Sequence, residues 1–211
     1  MHNVELVHVT PDAEQLIAYM ARVSNPANQD NPDCIKLIKY LIKHKHWSPF
    51  EMVNMCVQID TTRSVASQIL RHRSFSFQEF SQRYAQVVIT PSLPNFRRQD
   101  TSNRQNSIDD LNEFTQQEFQ IRTQDLFDQS LALYNEMLAA GVAKECARDV
   151  LPLSTPTKLY MNGTLRSWLH YTDLRCANGT QLEHQLIATG VNGLIRTHFP
   201  LVAEAMWPIT S

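Results

Sequence analysis

The sequence predicts a mixed α/β protein, folded as one domain over residues 1–211 and without a Gly-rich dinucleotide loop. Three observations predict this. Segments with helical periodicity and segments with strand-like alternation are interleaved along the chain. A chain of 211 residues with 43% hydrophobic residues can bury a core without staples, and it shows no internal repeat, low-complexity tract or linker. The only five glycines, Gly141, Gly163, Gly179, Gly190 and Gly193, assemble neither a GxGxxG nor a GxxxxGK[ST] phosphate loop.

The elements follow in order. Residues 11–23 predict a helix, with Pro11 in its first turn and Leu16, Ile17, Tyr19 and Met20 on its apolar face. Residues 33–45 predict a second, with Ile35, Ile38, Leu41 and Ile42 apolar and Lys36, Lys39 and Lys43 on another side. After a loop at 46–51, residues 52–60 alternate as a strand, and 62–72 read as a helix. Residues 74–83 fit strand or loop, and Tyr84–Ile89 reads as a strand stopped by Thr90-Pro91. Residues 92–107 are polar and loop-like. A long helix spans about 108–139, with Leu126, Leu133 and Met137 on one stripe and Gly141 beyond its end. A short helix at 143–149, a strand at 155–163 and helices at 164–175 and 181–195 complete the reading.

Several function classes are excluded. No apolar run approaches the ~20 residues of a membrane helix. The opening MHNVELVHVT does not read as a signal peptide. Cys34, Cys56, Cys146 and Cys176 form no CxxC pair and read as free thiols of a reducing compartment, so a cytoplasmic protein is expected. His44 and His46 have no third ligand at matching spacing, so no metal site is expected. No Gly-x-Ser-x-Gly elbow is present, which argues against a serine hydrolase.

Charge is more pointed. Arginine outnumbers lysine 13 to 6, and arginine is the residue for a bidentate grip on phosphate. Residues 52–99 carry a local charge of +4 and residues 100–149 a local −6, both hidden within a total of −2. The densest constellation is Arg71-His72-Arg73, followed by Glu79, Ser81, Arg83 and Tyr84. Like charges crowded at a helix end repel, so the cluster is worthwhile where an anion sits against it. Phe75, Phe77 and Phe80 interleave with the charges, so the segment is not simply a solvated basic face. Arg166 and His170, four apart on one helix face with Arg175 following, also want a shared anionic partner. Arg148, after Lys144-Glu145, is by itself read as a structural ion pair.

Arg71-His72-Arg73, seven residues, then Ser81 resembles the signature of the flavin-dependent thymidylate synthases, and Gln68, Glu79, Arg83 and Tyr84 around it fit as well. The resemblance covers most of the chain. Ala21-Arg22-Val23-Ser24, His46-Trp47-Ser48-Pro49-Phe50-Glu51, Ala147-Arg148 with Leu151-Pro152, Arg166 with His170 and Leu174-Arg175, and Gln181 with Glu183 each resemble a family element. Thr164 departs from it, standing where many members carry Asn.

The resemblance implies an α+β, non-Rossmann fold with a central, largely antiparallel sheet flanked by helices, one of them long. It also implies an enzyme making dTMP from dUMP, with 5,10-methylenetetrahydrofolate as carbon donor and FAD, reduced by NADPH, as hydride source. It implies a homotetramer with active sites where subunits meet. Carried over by residue, Ser48, Arg71, His72, Arg73, Glu79, Thr164, Arg166 and His170 are expected at FAD, with His46 and Ser24 as secondary contacts. Gln68, Arg71, Glu79, Phe80, Ser81, Gln82, Arg83, Arg148 and Arg175 are expected at dUMP, Phe80 through its backbone. Arg175 is the expected catalytic residue, polarising the uracil ring. The rival reading is a single-stranded nucleic-acid-binding module using the arginines and aromatics of residues 63–98, against which the net charge of −2 argues.

Overall fold

A computed structural model of the chain describes residues 2–88 and 90–208. In order the elements are β1 (Asn3–Val9), α1 (Ala13–Ala21), α2 (Ile35–Lys43), β2 (Asn54–Thr62), α3 (Arg63–Ile69), β3 (Ser76–Glu79), β4 (Arg98–Gln99), β5 (Ser107–Ile108), α4 (Glu113–Ala139), α5 (Lys144–Ala147), β6 (Pro156–Thr164), α6 (Leu165–Arg175), α7 (Leu182–His198) and α8 (Pro200–Met206). Short 3-10 turns occupy Pro26–Asn28, Ser48–Glu51 and Arg148–Val150.

The main sheet runs β1-β2-β6-β3 and is antiparallel throughout. β2 and β6 pair along their whole length, from Asn54 opposite Thr164 to Thr62 opposite Pro156. Met55, Val57 and Ile59 on β2, with Leu159 and Met161 on β6, are fully buried. They meet Ile17 of α1, Ile38 of α2, Trp168 of α6, Val191 of α7 and Val202 of α8 in one core. Burying each such side chain contributes ~1.5–3 kcal/mol. The Trp168 indole N–H donates to the Met55 carbonyl at 2.9 Å, locking α6 to the central strand.

α4 stands apart from this core. Its buried residues are Phe127 and Tyr134, and the stripe positions Leu126 and Leu133 are exposed. Met137 packs in a second cluster around Tyr134, Val87 and Ala147. The Tyr134 hydroxyl accepts the Val87 N–H at 3.0 Å. Residues 84–88 therefore lie irregularly against α4 instead of forming the predicted strand, whose last residue, Ile89, falls outside the described residues. α4 begins at residue 113 because Asn112 caps it, accepting the Thr115 N–H at 2.9 Å.

β4 and β5 fall in and at the edge of the stretch read as loop, and β1 and α8 also lack a clear sequence signal. In β1 the register shifts between Leu6 and His8, which breaks the period-two pattern and leaves Val7 half exposed. α8 is a single short helix started by Pro200.

Candidate functional site

The Arg71-His72-Arg73 segment is the turn that follows α3, anchored because Val65, Ala66 and Ile69 bury the inner face of that helix. A close approach holds the turn to the sheet. A Cβ at Gly163 on β6 would lie 2.4 Å from Phe75 Cδ1, so only glycine admits the Phe75 ring there. His72 meets the Tyr171 ring edge-on at 5.0 Å, and its Nε2 accepts the Arg175 Nε–H at 2.9 Å. Burial, then the positive charges of Arg175 and His170, push His72 down to about 4, so at neutral pH it is an uncharged acceptor for Arg175.

Most arginines of the region have carboxylate partners. Arg63 meets Glu79 at 3.2 Å, Arg83 meets Glu145 at 2.9 Å, Arg97 meets Glu183 at 2.8 Å, and Arg166 pairs with Glu51. Among the described residues, Arg71, Arg73 and Arg175 have no Asp or Glu oxygen within 4.0 Å. Three uncompensated cations around one neutral histidine form an open anion site.

Arg166 and His170 line a neighbouring cavity of about 470 Å³ with Trp47, Glu51, Ser74 and Asp173. Ser48 begins the 3-10 turn between Trp47 and Glu51 and is exposed there. The Thr164 hydroxyl accepts the Ser167 N–H at 3.3 Å and caps α6, so its local role is structural. His46 sits 6.0 Å from Tyr40 in an exposed aromatic group, and Ser24 lines a separate cavity with Arg22 and Asn31. This donor set, polar and cationic beside an indole, fits a flavin dinucleotide: the unpaired Arg71 and Arg73 suit its diphosphate.

β3 carries the chain roughly 10 Å to a second group. There Glu79 accepts from Arg63 and from the Thr157 hydroxyl at 3.0 Å. The Phe80 N–H is committed to the Lys158 carbonyl at 2.9 Å, which corrects the expectation that its backbone would offer a donor to phosphate. Gln82 is buried, yet its Nε2 has no hydrogen-bond partner among the described residues. It lines a cleft of about 260 Å³ with Arg63, Arg148 and Asp149. An orphaned buried donor in a cleft lined by two arginines fits an acceptor-rich ligand such as a phosphate. Ser81 and Arg83 face an adjoining cleft with Lys144 and Glu145.

The expected dUMP residues are thus divided. Gln68, Arg71 and Arg175 lie at the near end of β3, and Glu79 to Arg83 with Arg148 lie at the far end. Arg63 belongs with the second group and was missed. It lies in the basic segment, but the fold alone brings it to Arg148. The interaction of Phe75 with Trp168, at 4.6 Å, and the packing of Phe77 against the core remove two aromatics from any base-stacking surface over residues 63–98. Among the described residues, no group of three or more His, Cys, Asp or Glu side chains could hold a metal ion, and no helix is long and apolar enough to cross a membrane.

Fold and site together define an α+β protein without a Rossmann core, whose arginine side chains gather at both ends of one short strand. The model of the thymidylate synthase complementing protein family matches residues 5–201. The probable flavin-dependent thymidylate synthase of Paramecium bursaria Chlorella virus 1 is 52% identical over 195 residues, covering 92% of this chain and 90% of that protein. The flavin-dependent thymidylate synthase of Synechocystis sp. is 52% identical over 193 residues, covering 92% and 89%. The crystal structure of a UMP/dUMP methylase PolB from Streptomyces cacaoi, bound with 5-Br dUMP, superposes with a TM-score of 0.86 at 25% identity over 97% of this chain and 94% of that one. The chain belongs to the flavin-dependent thymidylate synthase family.

Proposed function

We propose that the protein is a thymidylate synthase that makes dTMP from dUMP by reductive methylation. 5,10-Methylenetetrahydrofolate supplies the carbon, and FAD, reduced by NADPH, supplies the hydride. The cluster of Arg71, Arg73 and Arg175 around neutral His72 carries the reading, because it leaves three cations free for anionic ligands. Ser48, Arg71, His72, Arg73, Glu79, Thr164, Arg166 and His170 hold the flavin. Gln68, Arg71, Glu79, Ser81, Gln82, Arg83 and Arg148 hold dUMP, joined by Arg63. Arg175 stabilises negative charge developing on the pyrimidine as its C5 becomes nucleophilic. Each charge-assisted contact contributes ~1.5–3 kcal/mol.

The active form is a homotetramer, and each dUMP site draws on more than one subunit. The division of the dUMP residues along β3 supports shared sites. The exposed Phe114, Ile121, Leu126 and Leu133 along α4 support assembly, since large apolar side chains left in solvent favour a partner surface. Four free thiols support a cytoplasmic location. The test is direct. Purified protein should carry a flavin absorbance that dUMP perturbs, and should form dTMP from dUMP, methylenetetrahydrofolate and NADPH. A colourless protein that takes up no FAD and forms no dTMP refutes the reading.

A further inference from the structure

His184 lies on α7 behind the site, is fully buried, and has no part in the chemistry above. Its ring makes two hydrogen bonds: Nε2 meets the Tyr171 hydroxyl at 3.1 Å, and Nδ1 meets Gln68 Oε1 at 3.3 Å. Among the described residues, the Tyr171 hydroxyl has no other hydrogen-bond partner. Tyr171 is itself buried, and burial pushes its hydroxyl far above the usual tyrosine range, so it stays protonated. A buried O–H left undonated is costly, so Tyr171 must donate to Nε2. That fixes the tautomer of the uncharged imidazole, with the proton on Nδ1, and Nδ1–H then donates to Gln68 Oε1. The direction of the Gln68 amide follows from the hydroxyl. The rest of the chain agrees in sense. Gln68 Nε2 donates to Gln181 Oε1 at 2.6 Å, Gln181 Nε2 donates to Glu183 at 2.8 Å, and Glu183 also takes both arms of Arg97 at 2.8 and 3.1 Å.

We propose that His184 is a positioning residue for the nucleotide: with its proton set by Tyr171, it holds the Gln68 amide in one direction and so presents the remaining amide hydrogen and lone pair to dUMP in a fixed arrangement. The proposal rests on the reading that Gln68 contacts dUMP. Tyr171, Gln68 and Glu183 come from three helices and their capping turns, so this one ring ties α6, α3 and α7 together beside Arg175.

The two nitrogens can be replaced separately. In His184→Asn the amide N–H takes the place of Nδ1–H and keeps the bond to Gln68. In His184→Gln the longer amide reaches the place of Nε2 and keeps only the bond to Tyr171. The holoenzyme is titrated with dUMP, with flavin absorbance recording cofactor content separately. His184→Asn should bind dUMP within about twofold of wild type, and His184→Gln about tenfold more weakly, the worth of one hydrogen bond. KM should rise by the same factor with kcat little changed. Tyr171→Phe keeps the ring and its packing but removes the donor that sets the tautomer, and should also weaken dUMP binding several-fold. Equal affinities in His184→Asn and His184→Gln, or an unchanged affinity in Tyr171→Phe, overturn the proposal. A wild-type protein that binds no dUMP overturns the underlying function instead, so the two failures are distinct observations.

Discussion

Burial of His184 makes the fold sensitive to acid in a way that can be worked out. The ordinary imidazole value is 6.5. Burial, followed by the Arg175 guanidinium and by competition with the neighbouring His72 for a proton, pushes folded His184 down to about 3. A group whose folded value is depressed gives its full stability above the unfolded value and loses it as pH falls from there toward the folded one. Between pH 7 and pH 5 the unfolded ring gains its proton while the folded ring remains neutral. At ~1.4 kcal/mol per pH unit over about 1.5 units, the fold loses about 2 kcal/mol. For a chain of this size that is a fall of roughly 4–8 °C in Tm. His72 adds a loss of the same sign, but it is half exposed and the same in both proteins compared. The assay is therefore a difference: the Tm of wild type and of His184→Asn, each at pH 7 and pH 5 and at one protein concentration. The variant, which cannot titrate at this position, should fall by several degrees less. Parallel losses in the two proteins would show that His184 does not carry the acid sensitivity.

Two further predictions follow from the same geometry. Arg175→Ala should abolish dTMP formation while the flavin stays bound, measured by product assay and absorbance; retained turnover removes Arg175 from the catalytic role. Gly163→Ala should cost about 1–3 kcal/mol, because the new methyl would overlap the Phe75 ring 2.4 Å away, and Phe75→Leu should recover much of that loss in thermal unfolding.

What could be read from the chain depended on how far apart in sequence the interacting groups lie. The α6 reading over 164–175 came within a residue because Thr164 caps it locally and Trp168 and Leu169 mark its inner face. The strands at 52–60 and 155–163 were displaced by only one or two residues, since buried residues at Met55, Val57, Ile59, Leu159 and Met161 set their alternation. The segment 84–88 misled for the same reason. Its apolar residues are real, but Val87 spends its N–H on Tyr134, 47 residues away, and no sheet partner remains. Likewise the α4 stripe was legible as a period, but periodicity alone does not say whether a stripe faces the chain's own core or something outside it; Leu126 and Leu133 are exposed. In the site, Arg71-His72-Arg73 stood out because its charges are adjacent. Arg63 and His184 did not, since their partners Glu79, Gln68 and Tyr171 are brought by tertiary packing.

The division of the dUMP residues also has a consequence for catalysis by mixed oligomers. Arg175 is held on His72 at one end of β3, and Arg148 lies in the cleft with Gln82 at the other. In the shared-site reading proposed above, a nucleotide gripped by both takes one from each of two chains. Arg148→Ala alone should raise the KM for dUMP by about 10–100-fold through loss of a charge-assisted contact, and Arg175→Ala alone should be inactive. When the two variants are co-expressed in equal amounts, a site is intact only if its Arg148 comes from the Arg175→Ala chain and its Arg175 from the Arg148→Ala chain. With random pairing in a closed, symmetric assembly, that holds for about one quarter of sites. Activity at low dUMP should return to about that fraction of wild type. Were both arginines drawn from the same chain, every site would lack one of them and mixing would restore nothing, so an unrescued mixture containing confirmed hetero-oligomers refutes the shared site.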